Sequence, residues 1–214
     1  MSSLVRVQAP VEEIGVSYLR GFIPWIVFAV AGSWDWRWAA VAALLTGAAL
    51  LLQDRRAGIP ADAQVLEVST VVYFAGLAVL AFAFPQSPLK TYDDVASFGW
   101  LALTAWGSLA GGRPFTLGIA RRRTPPEYWE RPEFLRINAI ITAAWASSFT
   151  LLGLALAVCV LTGAPVWLTI ACHVVGLAAP MVFTARYPAR VQARLAAVAG
   201  SASASPSGPV SASA

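Results

Sequence analysis

Residues 112–136 contain Arg113, Arg121, Arg122, Arg123, Arg131 and Arg136, interleaved with Phe115, Tyr128, Trp129 and Phe134. Guanidinium groups pair with phosphate oxygens, and aromatic rings settle at the headgroup level of a bilayer, each basic residue near an anionic surface contributing about 1 kcal/mol. The segment is therefore expected to lie along a membrane face. Its candidate lipid- or partner-binding residues are Arg113, Phe115, Arg121, Arg122, Arg123, Tyr128, Trp129 and Arg131. A sharper form of the same reading is a site for an anionic lipid-linked substrate or a protein partner. Arginine with aromatics also suits nucleic acid, but Glu127, Glu130 and Glu133 on a membrane-pinned loop argue against it. Thr124, Pro125, Pro126 and Glu127 read as an N-cap, a proline at the first helical position and a capping-box glutamate, predicting a short helix that carries Tyr128 and Trp129.

A second group of candidates lies in apolar surroundings, where an ionised side chain costs about 2.5–3.5 kcal/mol at the bilayer centre. Arg20 and Glu67 stand near the ends of two apolar runs, placed to reach the interface or to pair with each other. His173 shares a helix face with Gly176 and Pro180 and has no carboxylate near it in sequence, which favours packing over a proton relay. Asn138, Thr142, Trp145 and Phe149 follow helical spacing and make one semi-polar stripe, suited to hydrogen bonds between helices. Ala43 with Gly47, and Gly107 with Gly111, have the four-residue spacing of closely approaching helices.

Most enzymatic chemistry is missing from the sequence. Cys159 and Cys172 lie singly in apolar stretches, which excludes a disulfide framework, a zinc ribbon and a redox CxxC pair. No phosphate-binding glycine loop, dinucleotide fingerprint, HExxH or nucleophile elbow occurs. No metal or other cofactor is expected. Asp93 and Asp94 are adjacent, and Thr91 with Asp94 reads as a capping box for the helix that follows.

The elements that position these residues follow from the solvent. Of 214 residues 58% are hydrophobic and 12% charged, half the charged share of an average soluble domain, which points to a bilayer. Apolar runs at about 19–33, 36–52, 65–84, 95–111, 137–161 and 166–184 predict an all-α, six-helix transmembrane bundle over 19–184, because apolar residues continue around every face without strand alternation. Thirteen of the 15 basic residues fall in segments that would share one side, and two fall on the other. By the positive-inside rule both termini are then cytoplasmic, and so is the 112–136 loop. The net charge of +4 carries less information than this split. The first run is the weakest: Pro24 interrupts it, and Ala29-Val30-Ala31 resembles a signal-peptidase site. The Glu12–Glu13 pair makes a poor leader, so an uncleaved helix after a cytoplasmic segment at 1–18 is the preferred reading. At 185–199, Arg186, Arg190 and Arg194 line one face and Val191, Leu195 and Val198 another, predicting a basic amphipathic helix on the membrane, and the low-complexity residues 200–214 are expected to be disordered.

Several short motifs together resemble one family. They are Phe22-Ile23-Pro24-Trp25-Ile26-Val27-Phe28, the alanine-rich second run ending in Asp54-Arg55-Arg56, the Gly112-Arg113-Pro114-Phe115 opening of the basic loop, Pro126 and Trp129, and the stretch containing Trp145 and Phe149. In that order they are similar to the intracellular septation protein A family of small bacterial inner-membrane proteins. Relative to the family pattern, Trp129, Asn138 and Trp145 are spread out by an insertion at 130–135, and the Arg121, Arg122, Arg123 cluster is additional. The resemblance implies a non-enzymatic, multi-pass inner-membrane protein associated with cell-envelope synthesis or division, whose partners are membrane lipids and envelope or division proteins. A homo-oligomer stays open. The rival reading is a small transporter or channel of three plus three inverted repeats, with a site near Glu67, Asn138 and His173. A membrane enzyme would have to recruit Glu127, Glu130 or Glu133, which as surface acids pair more naturally with the arginines.

Overall fold

The computed structural model describes residues 11–122 and 124–203, and those residues are all-helical, without a strand. The helices are α1 (Val11–Ala31), α2 (Trp36–Arg56), α3 (Val65–Ala83), α4 (Asp93–Ala110), the short α5 (Thr116–Arg121), α6 (Pro132–Thr162) and α7 (Val166–Ser203). Four of them, α2, α3, α6 and α7, are long and apolar enough to cross a membrane. α1 has an apolar stretch only over Arg20–Ala31. α4 spends its first turn on Asp93 and Asp94.

Two apolar cores organise the chain. Phe28, Trp36, Ala39, Ala43, Phe74 and Leu77 join α1, α2 and α3, while Phe98, Leu101, Trp145, Phe149 and Leu156 join α4 to α6. Trp25 packs against both cores, stacking on Tyr73 at 5.0 Å, and Phe22 stacks on Trp145 at 5.3 Å. α1 thus ties the two halves together through aromatic rings, each such pair adding about 0.5–1.5 kcal/mol beyond its buried area. Consecutive long helices run antiparallel, so the end of α2, the start of α3, all of α5 and the start of α6 meet at one end of the bundle. This is the basic end.

Helix boundaries show which local signals operate. Asp35 caps α2 by accepting from the backbone N–H of Arg37, and the Arg37 guanidinium at 2.6 Å holds the Asp35 carboxyl down at about 2. Gly163, at φ 63°, ends α6 between two apolar runs, with Ala164 N–H donating to the Cys159 carbonyl. Two predicted capping boxes do not form. Tyr92, not Thr91, precedes α4, and Asp94 N–H is taken by the carboxylate of Asp93. Pro125 precedes a single 3₁₀ turn at Pro126–Tyr128, while the Thr124 carbonyl accepts the Trp129 indole N–H at 2.7 Å. Pro126 keeps Pro125 extended, and Pro132 keeps Arg131 extended, so the 3₁₀ turn does not join α6.

The last helix is also longer than expected. α7 runs unbroken to Ser203, so the basic stretch at 185–199 continues the preceding span, and residues 200–203 are helical rather than disordered. Residues 204–214 lie outside the described ones. Pro180 within α7 leaves the Gly176 carbonyl without its usual partner four residues on. The Ser148 hydroxyl of α6 donates to that carbonyl. Ser148→Ala should therefore cost about 1–2 kcal/mol, read from the thermal unfolding of the detergent-purified protein, although it removes one oxygen from an apolar contact.

Of the small-residue pairs, Ala43 is fully buried, and a Cβ built on Gly47 would come within 3.6 Å of Pro24 and Thr70, as close approach requires. Gly107 faces open space, so the second pair brings no helices together.

Candidate functional site

At the basic end, four charged side chains from different elements converge. α2 buries one face through Ala39, Ala43, Gly47 and Asp54, whose spacing is helical, so the same geometry that packs small residues against α1 and α3 carries Asp54 inward while Arg55 and Arg56 stay exposed. Glu67 stands in the first turn of α3, where the helix dipole favours an anion. Arg20 comes from α1, and Arg122 from the residue that ends α5.

The contacts form a chain. Arg20 Nη1 lies 3.0 Å from Asp54 Oδ1, and Arg122 Nη2 reaches both Asp54 Oδ2 at 2.9 Å and Glu67 Oε1 at 2.8 Å. Arg20 also donates to Gln53 Oε1 at 3.2 Å. Two cations face two anions, so the cluster is formally neutral. The side chain of Asp54 is only 3% exposed and that of Arg20 is 36% exposed, so the cluster opens outward on the Arg20 side. Beneath it, Gly21, Pro24, Gly47, Leu50 and Thr70 enclose a cavity with room for about one water molecule.

The sequence offers Arg20 and Glu67 two readings, reaching the interface or pairing with each other. They do share a cluster, but Asp54 and Arg122 stand between them. In the sequence Asp54 stands out only as the start of Asp54-Arg55-Arg56, which closes the second run. The signal that marks it is its place seven residues after Gly47, on the stripe the small residues define.

The basic loop folds inward instead of lying flat. Phe115, Thr116, Leu117, Gly118 and Ile119 are all buried. The Thr116 hydroxyl donates to the Asn138 carbonyl at 2.9 Å and lies 2.8 Å from the Thr142 hydroxyl, and Phe115 N–H donates to Ser108 Oγ. Gly118 sits directly on the backbone of Ala63 in the connection between α2 and α3. α5 is thus a plug in the basic end, and the plug carries Arg122 to its two carboxylates.

The other predicted loop residues divide by exposure. Arg113 is exposed, and Arg123 lies outside the described residues. The Arg121 guanidinium stands 5.3 Å from the Trp129 ring centre, and that of Arg131 stands 4.5 Å from the Tyr128 ring, both cation–π contacts. Tyr128 and Trp129 are half-buried, whereas Arg131 and Arg136 are exposed.

The semi-polar stripe bonds to neighbouring helices at Thr142 and Trp145, whereas Asn138 bonds within its own helix. Asn138 Nδ2 donates to the Phe134 carbonyl, Thr142 meets Thr116, and the Trp145 indole donates to Thr184 Oγ1 at 3.0 Å. His173 is not without an acid: its Nε2 lies 3.6 Å from Asp94 Oδ2 of α4, while Nδ1 donates to the Thr169 carbonyl at 2.8 Å. Helix packing brings together two residues far apart in sequence. Asp94 starts α4 and Glu67 starts the antiparallel α3, so His173 and Glu67 occupy opposite ends of the bundle. Glu67, Asn138 and His173 share no cavity.

Both cluster carboxylates are held by guanidinium groups, so the chemistry of the arrangement is that of an ionic clamp. Among the described residues no group of histidine, cysteine or carboxylate side chains has the arrangement of a metal site. The fold and its apolar helices define a helical membrane protein. No family model, curated protein or solved structure matches the chain.

Proposed function

We propose that the chain is a six-helix bacterial inner-membrane protein with both termini in the cytoplasm, a non-enzymatic scaffold that acts in cell-envelope synthesis or division. The family resemblance supplies the process, and the split of 13 basic residues against two supports the orientation. One observation carries the reading. Arg122 and the buried α5 anchor the basic loop from inside, while Arg113, Arg131 and Arg136 stay exposed and Arg131 lies over the Tyr128 ring. A loop held this way presents a fixed arginine–aromatic surface to anionic headgroups and to a partner at the cytoplasmic face, without the ordering cost of a mobile loop.

Reporters fused into each connection should give a cytoplasmic signal from 112–136, and a periplasmic one would sink the orientation. Photo-crosslinking groups at Tyr128 and Arg131 in living cells should then capture proteins of envelope synthesis or division. Capture of lipid alone would reduce the surface to a membrane anchor.

A further inference from the structure

Few residues of the membrane-length part of α7, Val166–Val191, are buried, and one side of the helix stays exposed. At its last turns Ala179, Val182, Phe183, Arg186, Tyr187 and Arg190 recur at three- and four-residue spacing and form one open, shallow face of the helix. The face changes character along its length. Ala179, Val182 and Phe183 are apolar, Phe183 stacks on Tyr187 at 4.9 Å with the rings nearly parallel, and the two arginines follow. From Val166, a rise of 1.5 Å per residue puts Arg186 about 30 Å away and Arg190 about 36 Å away, at headgroup depth for a bilayer core about 30 Å thick.

The two arginines differ from others at the basic end. Arg20 and Arg122 are spent on carboxylates, and Arg121 and Arg131 lie against rings. Among the described residues Arg186 and Arg190 have neither an ion-pair nor a hydrogen-bond partner, and both are exposed. One helical turn apart, their guanidinium groups can close on a single tetrahedral anion as a fork of donors. An apolar helix face that ends in such a fork follows the same gradient as a phospholipid.

We propose that this face of α7 binds one anionic phospholipid, its phosphate between Arg186 and Arg190 and an acyl chain along Phe183, Val182 and Ala179. The inference rests on the membrane reading of α7 within the proposed function and is independent of what the 112–136 loop contacts.

The test uses the full chain, purified in neutral detergent, delipidated, and titrated with phosphatidylglycerol or with phosphatidylcholine of the same acyl chains. Bound lipids are counted by native mass spectrometry. At about 1 kcal/mol per basic residue, R186Q/R190Q should weaken the first phosphatidylglycerol roughly thirtyfold, to the level of phosphatidylcholine. R55Q/R56Q, which removes two exposed arginines from α2, should leave that binding unchanged. Ala179→Trp keeps both charges and obstructs the apolar half of this face, so it should displace the same lipid. Equal binding of the two lipids by the unaltered chain, undiminished binding in Ala179→Trp, or an equal loss in R55Q/R56Q would overturn the site. If R186Q/R190Q fails to fold, Ala179→Trp decides. Loss of the lipid site with cross-linking at Tyr128 and Arg131 intact separates failure here from failure of the proposed function.

Discussion

Asp54→Ala should destabilise the protein by about 2–3 kcal/mol, the cost of removing a buried carboxylate that accepts charge-assisted hydrogen bonds. The wild-type cluster is neutral, and Asp54 is the residue that both arginines touch. Without it Arg122 retains Glu67, but Arg20 loses its carboxylate and an uncompensated cation remains at the mouth of the bundle. Glu67→Gln should cost less, because Arg122 keeps Asp54 and the amide oxygen still accepts a hydrogen bond. The clamp also has a local readout. Since Arg122 directly follows α5, Asp54→Ala should expose 112–136 to limited proteolysis in detergent while the helical content stays intact. Combining Asp54→Asn with Arg122→Gln should cost less than the sum of the two single changes, because each partner's unpaired charge is then removed. The coupling should fall within about 0.5–3 kcal/mol, as for groups in direct contact. An Asp54→Ala protein that melts with the wild type and resists protease equally would show that the clamp does not hold the loop.

Why Asp54 escapes a sequence reading while Arg20 and Glu67 do not is a matter of register. A charged residue inside an apolar run is conspicuous. A charged residue at the end of one, followed by two arginines, looks like the solvated margin of a helix. Only the face on which it falls distinguishes it, and that face is legible because Ala43 and Gly47 already mark where α2 is packed. The loop fails differently. Its arginines and aromatics are visible by type, but Thr116, Leu117, Gly118 and Ile119 form too short a run to register as a helix, and their burial depends on the α2–α3 connection lying opposite. The His173–Asp94 contact depends on the packing of α4 against α6 and α7, which no local spacing reports. By contrast, the stripe from Asn138 to Phe149 is legible, because helical periodicity is a property of contiguous sequence.

Gly118→Ala sets two physical effects against each other. By helix propensity alone, alanine inside α5 should be better than glycine by about 1 kcal/mol. By geometry it should be far worse. A Cβ built on Gly118 would lie 1.8 Å from the carbonyl oxygen of Ala63 and 2.7 Å from its carbonyl carbon. Both obstacles are backbone, so no change of rotamer relieves the clash, and α5 must move away from the Ala61–Ala63 turn. Moving it strains the bonds from Thr116 to Asn138 and Thr142 and draws Arg122, four residues on, away from Asp54 and Glu67. The expected result is a loss of about 2–3 kcal/mol, in the range of overpacked cores, together with protease sensitivity in 112–136 like that of Asp54→Ala. Gly107→Ala is the matched control, because its Cβ would meet nothing within 4 Å and α4 should gain by propensity. If Gly118→Ala were as stable as Gly107→Ala, close seating of α5 against Ala63 would not be what holds the loop. If it falls while the control rises, one methyl group has released a loop that the clamp alone cannot keep in place.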